Sequence, residues 1–468
     1  MELLILSGLF VLGVIVGTQL NRGIYRLAWV PRAIGPWSAP HADAPTRHGF
    51  DRIPLVGWIG LRRESTIHGR GFWIRPLLIE LATGGCFAGL YWYEVLHAAV
   101  VHLPQGLPVI DGLTNPLAMD VLCAQYFSHI ILFSLLLVVT FIDFDEQTIP
   151  DAITTPGTII GLILAAAWPL ARPITIVPPP GLTAPLHVVS GSRFATGGWV
   201  EWLQSESSLA IGLACFAAWW VAVVPWSWIT RRGLRKAVQY FCASFARRLS
   251  VWMFATLFVG LAAIVLVWGL ANPAVATANH RWESLFSSLV GMAAGGALIW
   301  AVRIIGSRAL GQEAMGFGDV TLMAMIGAFL GWQSTLIIFF LAPFAALIIS
   351  VTQWLLTRRR DIAFGPYLCL ATCYLIVDWG DMWERSRPIF SLGMFVPAVL
   401  AVGLALMGIM LIGMRWLRET FTAEEPDADA DRAGNSVPAP RVAADTPDEP
   451  AAGDTKRDTP DRVPPLAD

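Results

Sequence analysis

The sequence IILFSLLLVVTFIDFDEQTIPD, residues 130–151, decides the architecture that we predict for this chain. Residues 130–142, together with the residues before them, are apolar over a length that can cross a bilayer. Four acidic residues then occur within nine positions, and a second apolar run begins at once. A carboxylate at the edge of a membrane helix is costly to desolvate, so it is a functional candidate by default. Asp143 is the carboxylate nearest the hydrocarbon.

The whole chain has the composition of a membrane protein. Hydrophobic residues make up 55% of its 468 residues and charged residues only 14%, whereas ordinary soluble domains carry about 25% charged residues. Because apolar runs long enough to span a bilayer recur along the chain, we predict an all-α polytopic membrane protein. The formal net charge of −2 gives no indication of a nucleic-acid partner, and we predict none.

Hydropathy predicts about eleven transmembrane helices, and the positions of arginine and lysine predict their direction. The loop 21–75 carries nine arginines, so the positive-inside rule puts it in the cytoplasm and the N-terminus outside. The later basic clusters then all fall inside as well. Residues 1–20 have no basic start and no cleavage site, which predicts a retained first span. The predicted spans are about 2–20, 76–100, 121–142, 152–170, 208–229, 250–270, 284–306, 320–332, 335–356, 362–378 and 389–414.

The sequence also predicts how the chain is divided into domains. After the first span at 1–20, residues 21–75 form a basic cytoplasmic loop. Residues 76–418 form a transmembrane domain with an insertion at about 171–283. Residues 419–468 are rich in Asp, Glu, Pro and Ala with almost no large apolar residues, which predicts a disordered tail inside the cell. The role of the insertion, the role of the tail and the oligomeric state are left open.

A second stretch, GQEAMGFGDVTL at residues 311–322, supplies a partner for Asp143. Gly316 and Gly318 flank a phenylalanine and lead into Asp319 at the start of an apolar run. Glycine permits strained backbone angles and close approach to another segment. The predicted topology puts Asp319 on the same membrane face as Asp143, 176 positions away, so the two carboxylates can meet across packed helices.

Two carboxylates at the same depth in the membrane are suited to aspartyl proteolysis. Close carboxylates cannot both ionise readily, so they share a proton and titrate as a coupled pair. The charged member takes a proton from an attacking water, and the neutral member donates to the developing oxyanion. The spacing alone leaves two simpler roles open. In these alternatives, Asp143 would be a solvated residue at a helix end, and Asp319 would be the N-cap of the span that follows it.

The other acidic residues near these two stretches have simpler interpretations. Asp151, which follows Pro150, is predicted to be the N-cap of the span at 152–170. Asp145, Glu146 and Glu313 are predicted to form a solvated acidic edge.

No metal site is predicted. Cys369 and Cys373 share a helix face, but no histidine or further cysteine completes a ligand set. His41, His48 and His68 lie in the loop 21–75 at spacings that match no recognised set of metal ligands.

The stretches around the two aspartates resemble the motifs of the type IV prepilin peptidases, polytopic aspartyl proteases of the Gly-x-Gly-Asp kind. That family carries an aspartate a few residues before Ile/Leu-Pro-Asp/Asn, which is similar to Asp143 followed by IPD at 149–151. Its second aspartate lies in a Gly-x-Gly-Asp motif, which is similar to GFGD at 316–319. Thr321 stands where the family usually has a lysine, a departure that leaves the aspartate in place.

Three further segments resemble the same family. DRIPLVGW at 51–58 is similar to its Asp-Asn-Ile-Pro-Leu-x-Ser-Trp segment, and RPLLIEL at 75–81 is similar to its Arg-Tyr-Pro-Leu-Val-Glu-Leu segment. FGPYL at 364–368 is similar to its Phe-Gly-Pro-Phe/Tyr-Leu segment. Five motifs in the same order, spread over about 50–370, make the resemblance much more specific than a single Gly-x-Gly-Asp.

The resemblance implies an aspartic endopeptidase of the inner membrane whose peptidase domain is 76–418 and whose active site faces the cytoplasm. Its substrates would be prepilins or pseudopilins of a type IV pilus or type II secretion system, cut after the terminal glycine of the leader. Proteolysis would need no cofactor. The implied site consists of catalytic Asp143 and Asp319 with the supporting residues Gly316, Gly318, Pro150 and Asp151.

Membrane lipids are the other predicted partner. The basic loops at 21–75 and 230–248 are able to attract anionic headgroups or acidic substrate residues. Topology signalling explains the same charges, so the sequence leaves both interpretations open.

The resemblance also implies a second activity, methylation of the new N-terminus with S-adenosylmethionine. In the family this activity is associated with the first cytoplasmic loop, where many members carry two Cys-x-x-Cys pairs that resemble a zinc site. Residues 21–75 contain no cysteine, and no glycine-rich nucleotide motif is evident. The sequence therefore leaves methylation open.

Two functions from other classes compete with proteolysis. A transporter would use Asp143 and Asp319 as proton or cation sites, although most predicted spans have apolar centres. An inactive scaffold of a pilus or secretion assembly is the other alternative, and the two retained aspartates argue against it.

Overall fold

Helices account for nearly all of the residues that the computed structural model describes. These residues are 1–32, 34–97, 116–169, 171–177, 187–190, 206–223, 248–270, 276–311, 315–357, 364–390, 392 and 395–422. In chain order the helices are α1 (Glu2–Leu27), α2 (Val56–Leu61), α3 (Ser65–His68), α4 (Ile74–Tyr91), α5 (Pro116–Glu146), α6 (Asp151–Ala167), α7 (Glu206–Val223), α8 (Arg248–Gly269), α9 (Ala276–Leu310), α10 (Phe317–Leu330), α11 (Trp332–Thr357), α12 (Gly365–Val377), α13 (Trp379–Phe390) and α14 (Phe395–Thr422).

Each of the eleven predicted spans coincides with one of these helices, which confirms the helical fold class. The span predicted at 76–100 is divided, because α4 ends at Tyr91 and a π-helix continues over Trp92–Leu96. The features that were not predicted include the short helices α2 and α3 within the loop 21–75, the helix α13, and a short antiparallel pair of strands, β1 (Ile174–Val177) and β2 (His187–Ser190). The disordered tail was predicted to begin at residue 419, but α14 continues to Thr422, and the residues after Thr422 lie outside the described part of the chain.

The protein is an integral membrane protein. Six described helices are long and apolar enough to cross a membrane: Glu2–Leu27, Met119–Glu146, Glu206–Val223, Arg281–Leu310, Trp332–Thr352 and Phe395–Leu417. Four shorter apolar helices accompany them: Asp151–Ala167, Phe254–Leu270, Phe317–Leu330 and Gly365–Val377. The total of eleven spans, their direction and the division into domains stay predictions.

The short helix α10 is the centre of the bundle. Every residue from Asp319 to Leu330 is buried, and the neighbours of α10 include α6, α9, α11 and α12. A helix that is apolar on all sides is buried on all sides. With 14 residues it is only about 21 Å long at 1.5 Å per residue. Protein surrounds this helix, which explains why a segment shorter than an ordinary span is stable there.

Glycines let α10 approach its neighbours closely. A Cβ atom on Gly161 of α6 would lie 2.8 Å from the ring of Phe329. A Cβ atom on Gly291 of α9 would lie 2.6 Å from the carbonyl oxygen of Gly327. Larger side chains at these positions would separate the helices, so the glycines fix how α10 sits between α6 and α9.

Helices from the predicted insertion pack against the helices that carry the site. Phe216 and Trp219 of α7, Ile264 of α8, and Trp282 and Phe286 of α9 belong to one buried apolar cluster. Leu162 of α6 and Ala324 and Ala328 of α10 belong to the same cluster. The α7–α8 region therefore supports the outer sides of α6 and α9.

A buried carboxylate holds the loop between α1 and α4 in place. The side chain of Glu80 on α4 is completely buried. It accepts hydrogen bonds from Nε1 of Trp58 at 2.8 Å, from the backbone N–H of Leu55 at 2.7 Å and from Nδ2 of Asn21 at 3.5 Å. Glu80 therefore connects α1, α2 and α4 at one point.

Two ion pairs organise the rest of this loop. Arg47 donates to both carboxylate oxygens of Glu64, at 2.7 and 2.8 Å. Asp51 pairs with Arg63 and accepts a hydrogen bond from the backbone N–H of His48 at 2.6 Å. Burial alone would raise the pKa of Asp51, but the His48 hydrogen bond and the Arg63 guanidinium outweigh it and lower that pKa.

We expect Glu80→Gln to destabilise this region. The amide NH2 of glutamine would face a hydrogen-bond donor in either orientation, because Trp58 and Leu55 donate to different oxygens of Glu80. Losing a hydrogen bond to a charged group costs about 1.5–3 kcal/mol. Thermal unfolding of the purified protein, with limited proteolysis of residues 30–73, measures the effect. Glu384→Gln, which alters an exposed glutamate on α13, is the control. Equal stability of the two variants would refute the role of Glu80.

Candidate active site

Asp143 lies one turn before the end of α5. Its side chain is only 4% exposed, although the next residue, Phe144, is largely exposed. After Glu146 the chain turns sharply at Gln147, where φ is +53°, and α6 begins at Asp151. The chain therefore reverses direction immediately after Asp143, and this reversal keeps the carboxylate at the end of the bundle.

Asp319 lies in the first turn of α10. The N-cap of α10 is Gly316, so Asp319 is the third residue of the helix and not its N-cap. Its side chain is 7% exposed. Upstream of Gly316, Arg303 of α9 donates from Nε to the carbonyl oxygen of Met315 at 2.8 Å, and its guanidinium lies 5.8 Å from the ring centroid of Phe317. Arg303 therefore supports the turn that starts α10.

The fold brings the two carboxyl groups close enough to interact electrostatically. Oδ2 of Asp143 and Oδ1 of Asp319 are buried and accept no hydrogen bond from the described residues. Buried polar atoms normally have a hydrogen-bond partner, so an oxygen without one on each carboxylate needs an explanation. A role in binding a water molecule or a substrate group during a reaction would explain both oxygens.

Gly365, the first residue of α12, closes the site on the side of Asp143. A Cβ atom at this position would lie 2.5 Å from Oδ2 of Asp143 and 3.0 Å from Cδ1 of Ile149. The backbone amide of Gly365 interacts favourably with the Asp143 carboxylate. Only glycine leaves room for this approach, so the segment at 364–368 belongs to the site. The sequence motif marked this segment, but it gave no indication that the segment contacts Asp143.

Gly318 is required by the turn between α5 and α6. A Cβ atom on Gly318 would lie 2.6 Å from Cβ of Ile149. A Cβ atom on Gly316 would meet nothing closer than 3.8 Å. The two glycines of the Gly-x-Gly-Asp motif thus have different roles. Gly318 allows close contact with Ile149, and the backbone amide of Gly316 interacts with the Asp319 carboxylate.

A chain of hydroxyl groups joins α6 to the start of α10. Oγ1 of Thr154 donates to Oγ1 of Thr321 at 3.1 Å, and Oγ1 of Thr321 donates to the carbonyl oxygen of Gly318 at 3.0 Å. Both threonines are buried. A lysine at position 321 would place a charge between these helices, which explains why a threonine fits this chain.

The acidic edge predicted at Asp145 and Glu146 is bound to the loop and α4. Arg75 contacts both carboxylate oxygens of Asp145 at 2.8 Å and donates to the carbonyl oxygen of Phe141 at 3.2 Å. Glu146 accepts hydrogen bonds from the backbone N–H groups of Trp29 and Val30 at 2.6 and 3.3 Å. These contacts fix the end of α5. Glu313, which was predicted to belong to the same acidic edge, lies outside the described residues.

The prediction that Asp151 is an N-cap was wrong. Pro150 occupies the N-cap position in an extended conformation, and Asp151 is the first helical residue with no side-chain cap. A proline fixes its own φ angle and so defines where the helix begins, while an acidic residue in the first turn interacts with the helix dipole. Asp151 thus supports α6, and within the described part of the chain it forms no hydrogen bond with Asp143 or Asp319.

Helix ends give the site its electrostatic character. The positive N-terminal ends of α10 and α12 face Asp319 and Asp143, and they stabilise negative charge there. Burial and the proximity of the two carboxylates oppose full ionisation of both. These opposing effects favour a pair that holds one negative charge and one proton, the arrangement that acid–base chemistry on a carbonyl requires.

No group of three or more His, Cys, Asp and Glu side chains in the described part of the chain is placed to hold a metal ion. Cys369 is buried on α12, the helix that contacts Asp143 through Gly365.

Comparison with known proteins gives several matches. A model of the type IV leader peptidase family matches residues 240–351. A protein of Pseudomonas aeruginosa named prepilin leader peptidase/N-methyltransferase is 28% identical over 160 residues, which are 29% of this chain and 55% of that protein. A protein of the same name from Aeromonas hydrophila is 34% identical over 105 residues, which are 22% of this chain and 36% of that protein.

A third relative, from Xanthomonas campestris pv. campestris, has the same name and is 28% identical over 199 residues, covering 35% of this chain and 69% of that protein. The chain thus spans about a third to a half of the length of the Aeromonas and Pseudomonas relatives. No solved structure matches the chain.

Proposed function

We propose that this chain, which is similar to the type IV leader peptidase family over residues 240–351, is a membrane aspartyl endopeptidase that removes the leader from prepilins or pseudopilins. The observation that carries the proposal is the pairing of Asp143 with Asp319. The two carboxylates come from helices far apart in the chain, are both buried and interact with each other.

The proposed reaction is hydrolysis of a peptide bond by an activated water. One carboxylate, in its charged form, takes a proton from the water as its oxygen attacks the scissile carbonyl carbon. The other, protonated, carboxyl group donates its proton to the carbonyl oxygen as negative charge develops there. In the collapse of the tetrahedral gem-diol, the first carboxyl group gives the proton that came from water to the leaving nitrogen and the C–N bond breaks. The second carboxylate takes a proton back from a gem-diol hydroxyl as the C=O bond re-forms. Each aspartate thus acts once as a base and once as an acid, and the pair returns to its singly protonated state.

The chain's other residues position this pair. Gly365 and Gly318 allow close packing around Asp143 and Ile149, and Gly316 presents its amide to Asp319. Pro150 and Asp151 start α6 directly after the turn. We propose supporting roles for these residues and catalytic roles only for the two aspartates.

We further propose that the site faces the cytoplasm and that the membrane is the inner membrane. Arginine density supports this direction, since nine arginines lie between α1 and the first residues of α4. The loop ends pack against the end of α5 that carries Asp143, through Arg75, Trp29 and Val30. The basic loop and the pair of aspartates are therefore on one side of the bundle.

Methylation with S-adenosylmethionine is not included in the proposal. The relatives are named N-methyltransferases as well as peptidases. In this chain, the cavity between α1 and the loop is lined by Arg22, Arg26 and Arg32, with no carboxylate among the described lining residues. Three guanidinium groups disfavour the sulfonium and ammonium cations of that methyl donor but suit its carboxylate. The cavity therefore gives no argument for methylation, which stays open.

Co-expression with a candidate prepilin, followed by mass spectrometry of its N-terminus, tests the proposal. We expect a mature chain that lacks the leader and starts at the residue after the leader's terminal glycine. An intact leader in cells that contain the inserted protein would contradict the proposed peptidase. A methyl group that depends on this protein would establish methylation as a second activity and leave the peptidase standing.

A further inference from the structure

A cavity of about 400 Å³ lies where α1 leaves the apolar part of the bundle. One wall is a single face of α1, with Thr18, Asn21, Arg22, Tyr25 and Arg26 at the spacing of successive helical turns. The opposite wall is formed by the loop at 31–38 and by Trp58. The cavity is therefore built from a helix face and a folded loop, and it is separate from the pair of aspartates.

Three arginines, Arg22, Arg26 and Arg32, give the cavity its charge, and all three are exposed. Carboxylates of the surrounding loop and helix ends make other contacts. Asp51 pairs with Arg63, Glu64 pairs with Arg47, and Asp145 pairs with Arg75. Glu80 accepts from Trp58 and Leu55, and Glu146 accepts from the amides of Trp29 and Val30. Within the described residues, the three guanidinium groups thus face the cavity without a carboxylate partner.

The loop wall is held in shape before any ligand binds. Nη1 of Arg47 donates to the carbonyl oxygens of Gly35 and Ser38, at 3.0 and 2.7 Å. The guanidinium of Arg52 lies 5.7 Å from the ring centroid of Trp37. A preformed wall reduces the entropy that a ligand loses on binding, so these contacts favour a binding site over an incidental gap.

The same face of α1 continues into apolar residues. Val11 and Ile15 lie two to four turns before Arg22 and Arg26, at helical spacing, and both are about half exposed. Trp29 and Trp37 are also exposed near the cavity, as aromatic side chains often are at a membrane interface. A ligand that covers this whole face must have an anionic group at one end and apolar chains at the other.

We propose that Arg22, Arg26 and Arg32 bind the phosphate of an anionic glycerophospholipid whose acyl chains lie along Val11 and Ile15. Guanidinium groups donate two parallel hydrogen bonds to phosphate oxygens, which makes arginine well suited to this group. Tyr25 lines the cavity and its hydroxyl supplies a donor for the glycerol or ester oxygens. The bound lipid fills the space between α1 and the loop that holds the end of α5.

Native mass spectrometry of the detergent-solubilised protein, supplied with phosphatidylglycerol or phosphatidylcholine, tests this site. The wild type is expected to retain phosphatidylglycerol in preference to phosphatidylcholine. The triple variant Arg22→Gln, Arg26→Gln and Arg32→Gln is expected to retain it at least about tenfold less. The control variant Arg62→Gln, Arg70→Gln and Arg308→Gln loses the same charge from exposed positions outside the cavity, and it is expected to behave like the wild type. Equal loss in both triple variants would overturn the site.

A competition experiment distinguishes a lipid from a soluble phosphate. Glycerol 3-phosphate offers the same phosphate without acyl chains, so we expect it to displace phosphatidylglycerol only at concentrations at least about a hundredfold higher. Displacement at equal concentration would overturn the lipid assignment. Lipid retention is measured without any cleavage assay, so its outcome does not depend on the proposed peptidase activity.

Discussion

Replacing either Asp143 or Asp319 by asparagine is expected to abolish removal of the leader while the protein still inserts in the membrane. Asparagine is close to aspartate in size, so the packing around the buried pair is kept. It can neither accept the proton of the attacking water nor donate one to the oxyanion. Loss of one general acid or base typically costs a factor of about 10² to 10⁴ in rate. Immunoblots of a co-expressed prepilin, with its two forms resolved by size, measure the effect.

Neighbouring carboxylates provide the matched controls. Asp145→Asn weakens a partly exposed ion pair with Arg75, and such pairs contribute about 0–1 kcal/mol. Asp151→Asn alters the first residue of α6, whose N-terminus has no side-chain capping hydrogen bond. Both variants are expected to keep most of the wild-type processing. Full processing by the variants at Asp143 or Asp319 would rule out the pair as the catalytic site.

The transporter alternative makes a different prediction about the same chain. It requires polar residues along a path through the bundle, and a buried pair of Glu94 and His129 at 2.6 Å is the feature of the described residues that lies on the same helix as Asp143. His129 precedes Asp143 by fourteen residues on α5, which is about 21 Å at 1.5 Å per residue. If the two aspartates served transport, Glu94→Gln would impair the same activity as Asp143→Asn. If the two aspartates serve proteolysis, Glu94→Gln should leave leader removal intact.

The sequence predicted the helices and the two aspartates because their signals are local. Long apolar runs mark helices in a membrane protein whatever their neighbours are. The pairing of Asp143 with Asp319 was predicted as well, since counting spans put both at the same face. The structure adds that α10 is too short for an ordinary span and is surrounded by protein. Hydropathy cannot distinguish lipid from protein as the surroundings of an apolar helix.

What could not be predicted depends on contacts between distant segments. Nothing in the sequence around Gly365 indicates that its Cα faces Asp143, because the approach depends on how α12 packs against α5. Asp145 and Glu146 were predicted to be solvated because their partners are distant in the chain. Arg75 lies 70 positions from Asp145, and the amides of residues 29–30 lie 117 and 116 positions from Glu146. The error at Asp151 was local, because the N-cap position went to the proline before it.

The close approach of Gly365 leads to the second strong prediction: Gly365→Ala is expected to reduce leader removal by at least about tenfold. A methyl group there would lie 2.5 Å from Oδ2 and 3.2 Å from Cγ of Asp143. Such a distance is below contact, so either the carboxylate rotates or α12 moves away from α5. Displacement of a catalytic group by about 1 Å can cost a factor of about 10² in rate. The measurement is the rate of leader cleavage by purified protein in detergent.

Gly316→Ala is the matched control for Gly365→Ala, because it adds the same methyl group at the same site. The nearest atom to a Cβ on Gly316 is 3.8 Å away, and the φ angle of −69° suits alanine. The amide that faces Asp319 is kept, so Gly316→Ala should cleave at a rate well above that of Gly365→Ala. Thermal unfolding of both variants separates a misplaced carboxylate from a general loss of stability. Equal cleavage rates in the two variants would show that space beside Asp143 does not limit the reaction, and the role assigned to Gly365 would then be wrong.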